Sequence, residues 1–174
     1  MAEFWTLGLM RRAPTTNWLI AKRSLQKDIG SAAPDWATDQ LVQGRDTPHL
    51  RQLAGATGSE NAFELEELVD RSLHELGLSI PSRERAVLVY SQELARDYLD
   101  SRITSEYLLQ ELCQLCISTD YMKPLYQFYL LRWTHDDLKT QVFSFYLRDA
   151  TRENFDMLLR AEVEKLVSIT PNEA

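Results

Sequence analysis

Along most of this chain apolar residues return every three or four positions, and each run stops at Gly, Pro or a small hydroxyl residue. That period predicts helices with one buried face. Leu65, Leu68, Val69, Leu73 and Leu76 share a face, with Asn61 as cap, Glu64 at capping-box spacing and Gly77 as left-handed stop. Thr47-Pro48 places a capping hydroxyl before a proline at the first helical position, which predicts a short helix from His49 to Ala54, stopped by Gly55. Ser79-Ile80-Pro81-Ser82 breaks the chain before a long helix, about Arg83 to Ser101, striped by Val87, Tyr90, Leu94, Ala95 and Tyr98. Thr104 or Ser105 opens a helix carrying Leu108, Leu109, Leu112, Cys113, Cys116 and Ile117. Thr151 opens a C-terminal helix with Phe155, Leu158, Leu159, Val163, Leu166 and Val167 in phase, closed by Pro171.

Residues 1–44 read as two short helices, Trp18 to Ile29 ended by Gly30 and Pro34 to Gln43 ended by Gly44. Residues 121–149 are aromatic. Within them Gln141 to Leu147 is rich enough in β-formers for a short strand or an irregular crossing, but no second strand pattern lies nearby to pair with it, so helix is the expectation. No fixed-period repeat, low-complexity stretch or long linker divides the chain. Short connections make successive helices antiparallel neighbours. The expected architecture is all-α, a single domain over residues 1–174 with about six to eight helices in an irregular bundle. Residues 1–44 form a looser N-terminal helical arm in this reading.

Composition narrows the function classes. The chain has 174 residues, 44% of them hydrophobic, with 6 Gly and 6 Pro, which suits one folded core and excludes collagen-like or mucin-like chains. No stretch approaches the ~20 apolar residues of a membrane helix. The first twelve residues carry an acid, lack a basic leader and fail as a signal peptide. Two cysteines then suit a reducing cytosol, and a cytoplasmic location is expected. Residues 1–52 hold 7 basic and 5 acidic side chains, a net +2, and residues 53–174 hold 12 and 21, a net −9, for −7 in all. Such a surface repels phosphate backbones and anionic headgroups, so the expected partner is a protein rather than nucleic acid or a membrane.

Catalytic constellations are sparse. Cys113-Gln-Leu-Cys116 lies inside a predicted helix between Leu112 and Ile117, not at the helix N-terminus that a reactive Cys-x-x-Cys uses. With no second cysteine pair and no His-x₃₋₅-His, zinc lacks ligands, and the two thiols read as small core residues. His49, His74 and His135 are isolated from one another. His135-Asp136-Asp137 is the best compact set of ligand types, and a metal-assisted enzyme built on it is the alternative function. A cap on a new helix explains the same residues without a metal. There is no Gly-x-Ser-x-Gly elbow and no Gly-x-x-x-x-Gly-Lys cradle, and Gly55 and Gly58 bracket a loop too short for a dinucleotide fingerprint. No cofactor is expected.

The short helix, Gly-bearing turn and longer helix from Leu50 onward have the form of a helix-turn-helix. The second helix, however, carries Glu60, Glu64, Glu66, Glu67, Asp70 and Glu75 against Arg71 alone, a net −5 that opposes docking into a DNA groove. The same acids, opposite the leucines, suit a basic protein partner, with Glu64, Glu67, Asp70 and Glu75 as electrostatic contributors. Trp5, Trp18, Trp36 and Trp133, with Tyr121, Tyr126, Tyr129 and Tyr146, exceed what the helix pattern places inside, and Tyr and Trp are the usual interface anchors.

Leu50-Arg-Gln-Leu-Ala-Gly, then Glu64 to Leu78, then Ala86 to Ile103 resemble small uncharacterised bacterial helical proteins, including acidic immunity-type proteins that neutralise toxins. The resemblance spans about residues 45–117, rests on helix punctuation and leucine spacing, and transfers no site residue. It implies a non-enzymatic, protein-binding inhibitor of a basic partner, possible without any catalytic group.

Overall fold

A computed structural model describes residues 14–57 and 61–170 of the chain. Trp5, Gly58, Glu60 and Pro171, all used in the sequence reading, lie outside the described residues. Among the described residues there are eight helices and no strand: α1 Thr16–Ser24, α2 Ala32–Val42, α3 Pro48–Ala54, α4 Ala62–Glu75, α5 Arg83–Leu99, α6 Ser105–Ser118, α7 Lys123–Thr140 and α8 Phe155–Ser168. The protein is an all-α helical bundle, and none of its described helices is long and apolar enough to cross a membrane.

Packing groups the helices into two compact units. The first holds α2, α3 and α4 with residues 14–19, and the second holds α5 to α8 with residues 20–27. In the first unit α2 packs on α3 and α3 on α4. Trp36, Leu50, Leu53 and Val69 are fully buried there, and the Trp36 indole donates to Thr16 Oγ1 at 3.1 Å. In the second unit α6 packs on α7, and α5 touches both α6 and α8. Tyr90, Leu94, Leu112, Phe128 and Leu159 fill its centre. Gln92, 3% exposed, donates to the Leu166 and Ile169 carbonyls, so a buried amide satisfies the orphan acceptors at the end of α8.

Helix ends show where local chemistry governs. Asn61 and Glu64 form the capping box at α4, and Gly77 closes that helix at φ +70°. Ser82 and Thr104 cap α5 and α6. Thr47 does not cap α3 through its side chain; the Glu75 carboxylate, arriving from α4, accepts the His49 N–H at 3.1 Å instead. The expected helix to Ile29 stops at Ser24, because Gln26 rather than Gly30 takes the first left-handed turn, at φ +51°. The last helix begins at Phe155, preceded by a turn in which Thr151 and Asn154 exchange reciprocal hydrogen bonds.

The largest departure is Gln141 to Leu147, expected as helix and found irregular. Side chains have replaced the helical ladder there. Asp137 Oδ2 accepts from Ser144 Oγ at 3.0 Å and from the Phe145 N–H at 3.1 Å. Arg152 donates to the Leu138 and Gln141 carbonyls, taking up acceptors left by the end of α7.

Candidate protein-docking surface

Helix α7 is apolar on two sides. Leu125, Phe128, Leu131 and Leu138 face the core of the second unit. Tyr126, Tyr129 and Trp133, at i, i+3 and i+7, form a second stripe. Tyr121 and Tyr126 are 49% and 45% exposed and Trp133 40%, while Tyr129 is half-buried.

The rings form a continuous ladder. Tyr121 meets Tyr129 edge-on at 5.2 Å between centroids, Tyr126 stacks on Tyr129 at 6.1 Å, and Tyr129 meets Trp133 at 6.3 Å. Trp133 then stacks on Tyr146, also at 6.3 Å, which carries the surface from α7 onto the irregular segment. These are the offset and edge-to-face geometries that the ring quadrupole favours. Both ends are fixed by backbone chemistry. Asp120 and Tyr121 take left-handed conformations after α6, with the Tyr121 N–H bonded to the Cys116 carbonyl at 2.9 Å. Ser144, pinned by Asp137, accepts the Tyr146 N–H at 3.1 Å. On the same irregular segment as Tyr146, Phe143 and Phe145 meet edge-on and are 53% and 72% exposed. The sequence flagged the ladder's residues as surplus aromatics; the irregular segment that completes it was not legible.

The four acidic residues named from sequence are all exposed on α4, but their charges are partly engaged within the chain. Glu64 accepts the Asn61 N–H, and Glu67 pairs with Arg71. Glu75 Oε1 lies 2.5 Å from His49 Nδ1, and its other oxygen caps α3. The Thr47 hydroxyl and then the His49 imidazole hold the Glu75 carboxyl below its ordinary pKa. Asp70 too has a partner within the chain. Glu64, Glu67, Leu68 and Arg71 line a shallow hollow, and Phe63 nearby in sequence is 76% exposed.

The His135-Asp136-Asp137 triplet is dispersed among three tasks. Asp136 pairs with Arg132 and lies 3.5 Å from Lys139, Asp137 pins the irregular segment, and His135 lies against the Phe155 ring at 5.2 Å. His135 Nδ1 stands 4.0 Å from Asp136 and is buried without a hydrogen-bond partner among the described residues. Among those residues no group of three or more His, Cys, Asp or Glu side chains could hold a metal ion. Cys113 and Cys116 are buried, and burial raises both thiol pKa values, that of Cys116 to about 11, which disfavours the thiolate that redox or metal chemistry needs.

Burial first, and then the Lys139 cation, push the His135 imidazole below its ordinary pKa, against the pull of Asp136 and Glu106. In the unfolded chain this imidazole takes up its proton at about pH 6.5; in the folded protein it does so only at lower pH. The stability it contributes is therefore complete above that value and lost as pH falls towards the folded pKa. Melting temperature should decline from pH 7 to pH 5 more steeply in the wild type than in His135→Phe. Glu106 and Asp136, whose pKa values are lowered, act below about pH 4.5 and leave this difference intact. Equal slopes in the two proteins would refute the assignment.

No family model, curated protein or solved structure matches the chain.

Proposed function

We propose that this chain is a non-enzymatic protein-binding module whose principal contact surface is the aromatic ladder. The observation that supports this reading is the set of solvent-exposed Tyr and Trp rings already held in place by one another and by the turns at either end. Pre-set rings give up little rotamer entropy on contact, which is why such residues dominate interface energetics. The separate tasks of His135, Asp136 and Asp137 favour binding over the enzymatic alternative.

In its most concrete form the module is an immunity- or antitoxin-type inhibitor that meets a basic protein through the acidic face of α4 rather than through the ladder. The net charge of −7 supports this by speeding encounter with a positive surface. Glu67 and Asp70 are the better contributors among the four acids, since Glu64 and Glu75 also cap helices. A cytoplasmic location goes with this reading.

Chemical cross-linking in a native extract tests the proposal. Residues 121–146 of the wild-type chain should join to a protein in stoichiometric yield, and Tyr126→Lys with Trp133→Lys should abolish that product. No cross-link from this segment would refute the reading. Against a basic partner, Glu67→Lys with Asp70→Lys should slow association roughly 10-fold at low salt and leave helicity unchanged. An unaltered on-rate would remove the acidic face from the account.

A further inference from the structure

A helix that is apolar on two sides calls for packing on two sides. The second unit covers one side of α7 with its own core and leaves Tyr126, Tyr129 and Trp133 on the other. We infer that the second side is covered by another copy of this chain, α7 against α7, in a two-fold symmetric dimer. This rests on the reading of the ladder as a protein-contact surface and names what occupies it.

Area is the first argument. An aromatic side chain presents roughly 150–250 Å² when fully exposed. At the exposures of Tyr121, Tyr126, Trp133, Phe143, Phe145 and Tyr146, the rings offer on the order of 600 Å² per copy. That stands at the top of the ~300–600 Å² that the largest apolar patch of a single-copy protein covers, and a standard interface takes ~800 Å² from each side. The rings and a modest polar rim reach that figure, and in an isologous pair both sides are equally apolar, so neither strands a polar surface against the other.

Charge is the second argument. Two copies at −7 repel each other over most of their surface. Within residues 53–174, which carry a net −9, residues 121–149 are an exception, with Lys123, Arg132, Lys139 and Arg148 against Asp136, Asp137 and Asp149, four basic to three acidic. Asp136 pairs with both Arg132 and Lys139, so much of that charge is neutralised in place. Two copies can meet on this stretch without a like-charge penalty, and a strongly basic partner gains nothing from it. A neutral aromatic stripe on an acidic chain fits its own image better than it fits a cation-rich protein.

Sedimentation equilibrium of the full chain from 1 to 100 μM decides the matter. The wild type should approach twice its 20.2 kDa over this range. Trp133 fluorescence should shift to the blue with association, and Tyr126→Lys with Trp133→Lys should raise the dissociation constant about 100-fold or more, as loss of two central anchors does. Met157→Ser, a charge-neutral change at an exposed α8 residue outside the ladder, serves as the control and should leave the dimer unchanged. Circular dichroism and melting of each variant separate lost association from lost folding. If the lysine variant fails to fold, Tyr126→Ser with Trp133→Ser takes its place. A wild type that stays monomeric at 100 μM overturns the inference while leaving a foreign partner at the ladder to the cross-linking test. A dimer that survives the ladder substitutions overturns it as well.

Discussion

Trp36→Ala should unfold the first unit and spare the helices of the second. The side chain is fully buried in α2, and its indole nitrogen donates to Thr16 Oγ1 at 3.1 Å. Truncating a buried Trp costs about 3–5 kcal/mol through lost transfer energy and the cavity left behind. The hydrogen-bond partner is small and can turn to water, so packing carries most of the loss. Against a typical total of ~5–15 kcal/mol, that is enough to populate a state in which α2, α3 and α4 have come apart. Backbone amides in those three helices should exchange at least about 100-fold faster than in the wild type, since each 1.4 kcal/mol is a factor of ten. Amides near Phe128 and Leu159 should keep their protection. Trp133→Ala supplies the contrast, because that ring is 40% exposed and loses mainly its stacking on Tyr146. Its cost should be near ~1 kcal/mol. Equal loss of stability from the two substitutions would contradict the division between a structural Trp and a contact Trp.

That division marks the limit of what the sequence reveals. The helices were legible because their information is local. Asn61, Glu64 and Gly77 act within one turn of the residues they organise, and the capping box and left-handed stop at α4 follow from their spacing. Thr104 and Ser82 belong to the same class. The misplacements arise where a distant or unexpected group takes over a local task. Glu75 reaches from α4 to cap α3, a contact across 26 positions that makes Thr47 redundant as a cap. Gln26 takes a left-handed conformation four residues before Gly30, the stop expected from the sequence, so α1 ends early. An acidic residue chosen for its exposure proves to be holding two helices together, and nothing in the pattern around Glu75 separates those roles. For the aromatics the difficulty is one of sides. Trp36 and Trp133 look alike in sequence, yet one is enclosed and the other is half of an exposed stack. Helical periodicity does place Tyr126, Tyr129 and Trp133 on one stripe. It cannot say that α7 has a core on its opposite side, nor bring Tyr146 back from an irregular segment to extend the stripe.

Removing the Asp137 carboxylate should undo that return. In Asp137→Ala the Ser144 hydroxyl, which is 2% exposed, loses one of its partners, and the Phe145 N–H loses the acceptor that stands in for a helical carbonyl. Bonds to a charged acceptor contribute about 1.5–3 kcal/mol each, and stranded buried groups carry a further desolvation cost. Because the segment can relax towards water, the net loss should fall near ~2–4 kcal/mol rather than at the full sum. Ser144 would keep its 3.2 Å contact with Thr134, and Arg152 its grip on the Leu138 and Gln141 carbonyls, so α7 itself should persist. The loosened part is residues 142–147, and with them goes the Trp133–Tyr146 stack. Amide exchange should therefore accelerate at Phe145 and Tyr146 and stay unchanged at Phe128. Trp133 emission should move to the red, and association through the ladder should weaken although no ring has been substituted. Asp137→Asn keeps one carbonyl oxygen for the Phe145 N–H and should recover more than half of the loss. A catalytic role for Asp137 predicts the opposite ordering, with stability untouched by either substitution and only a reaction abolished.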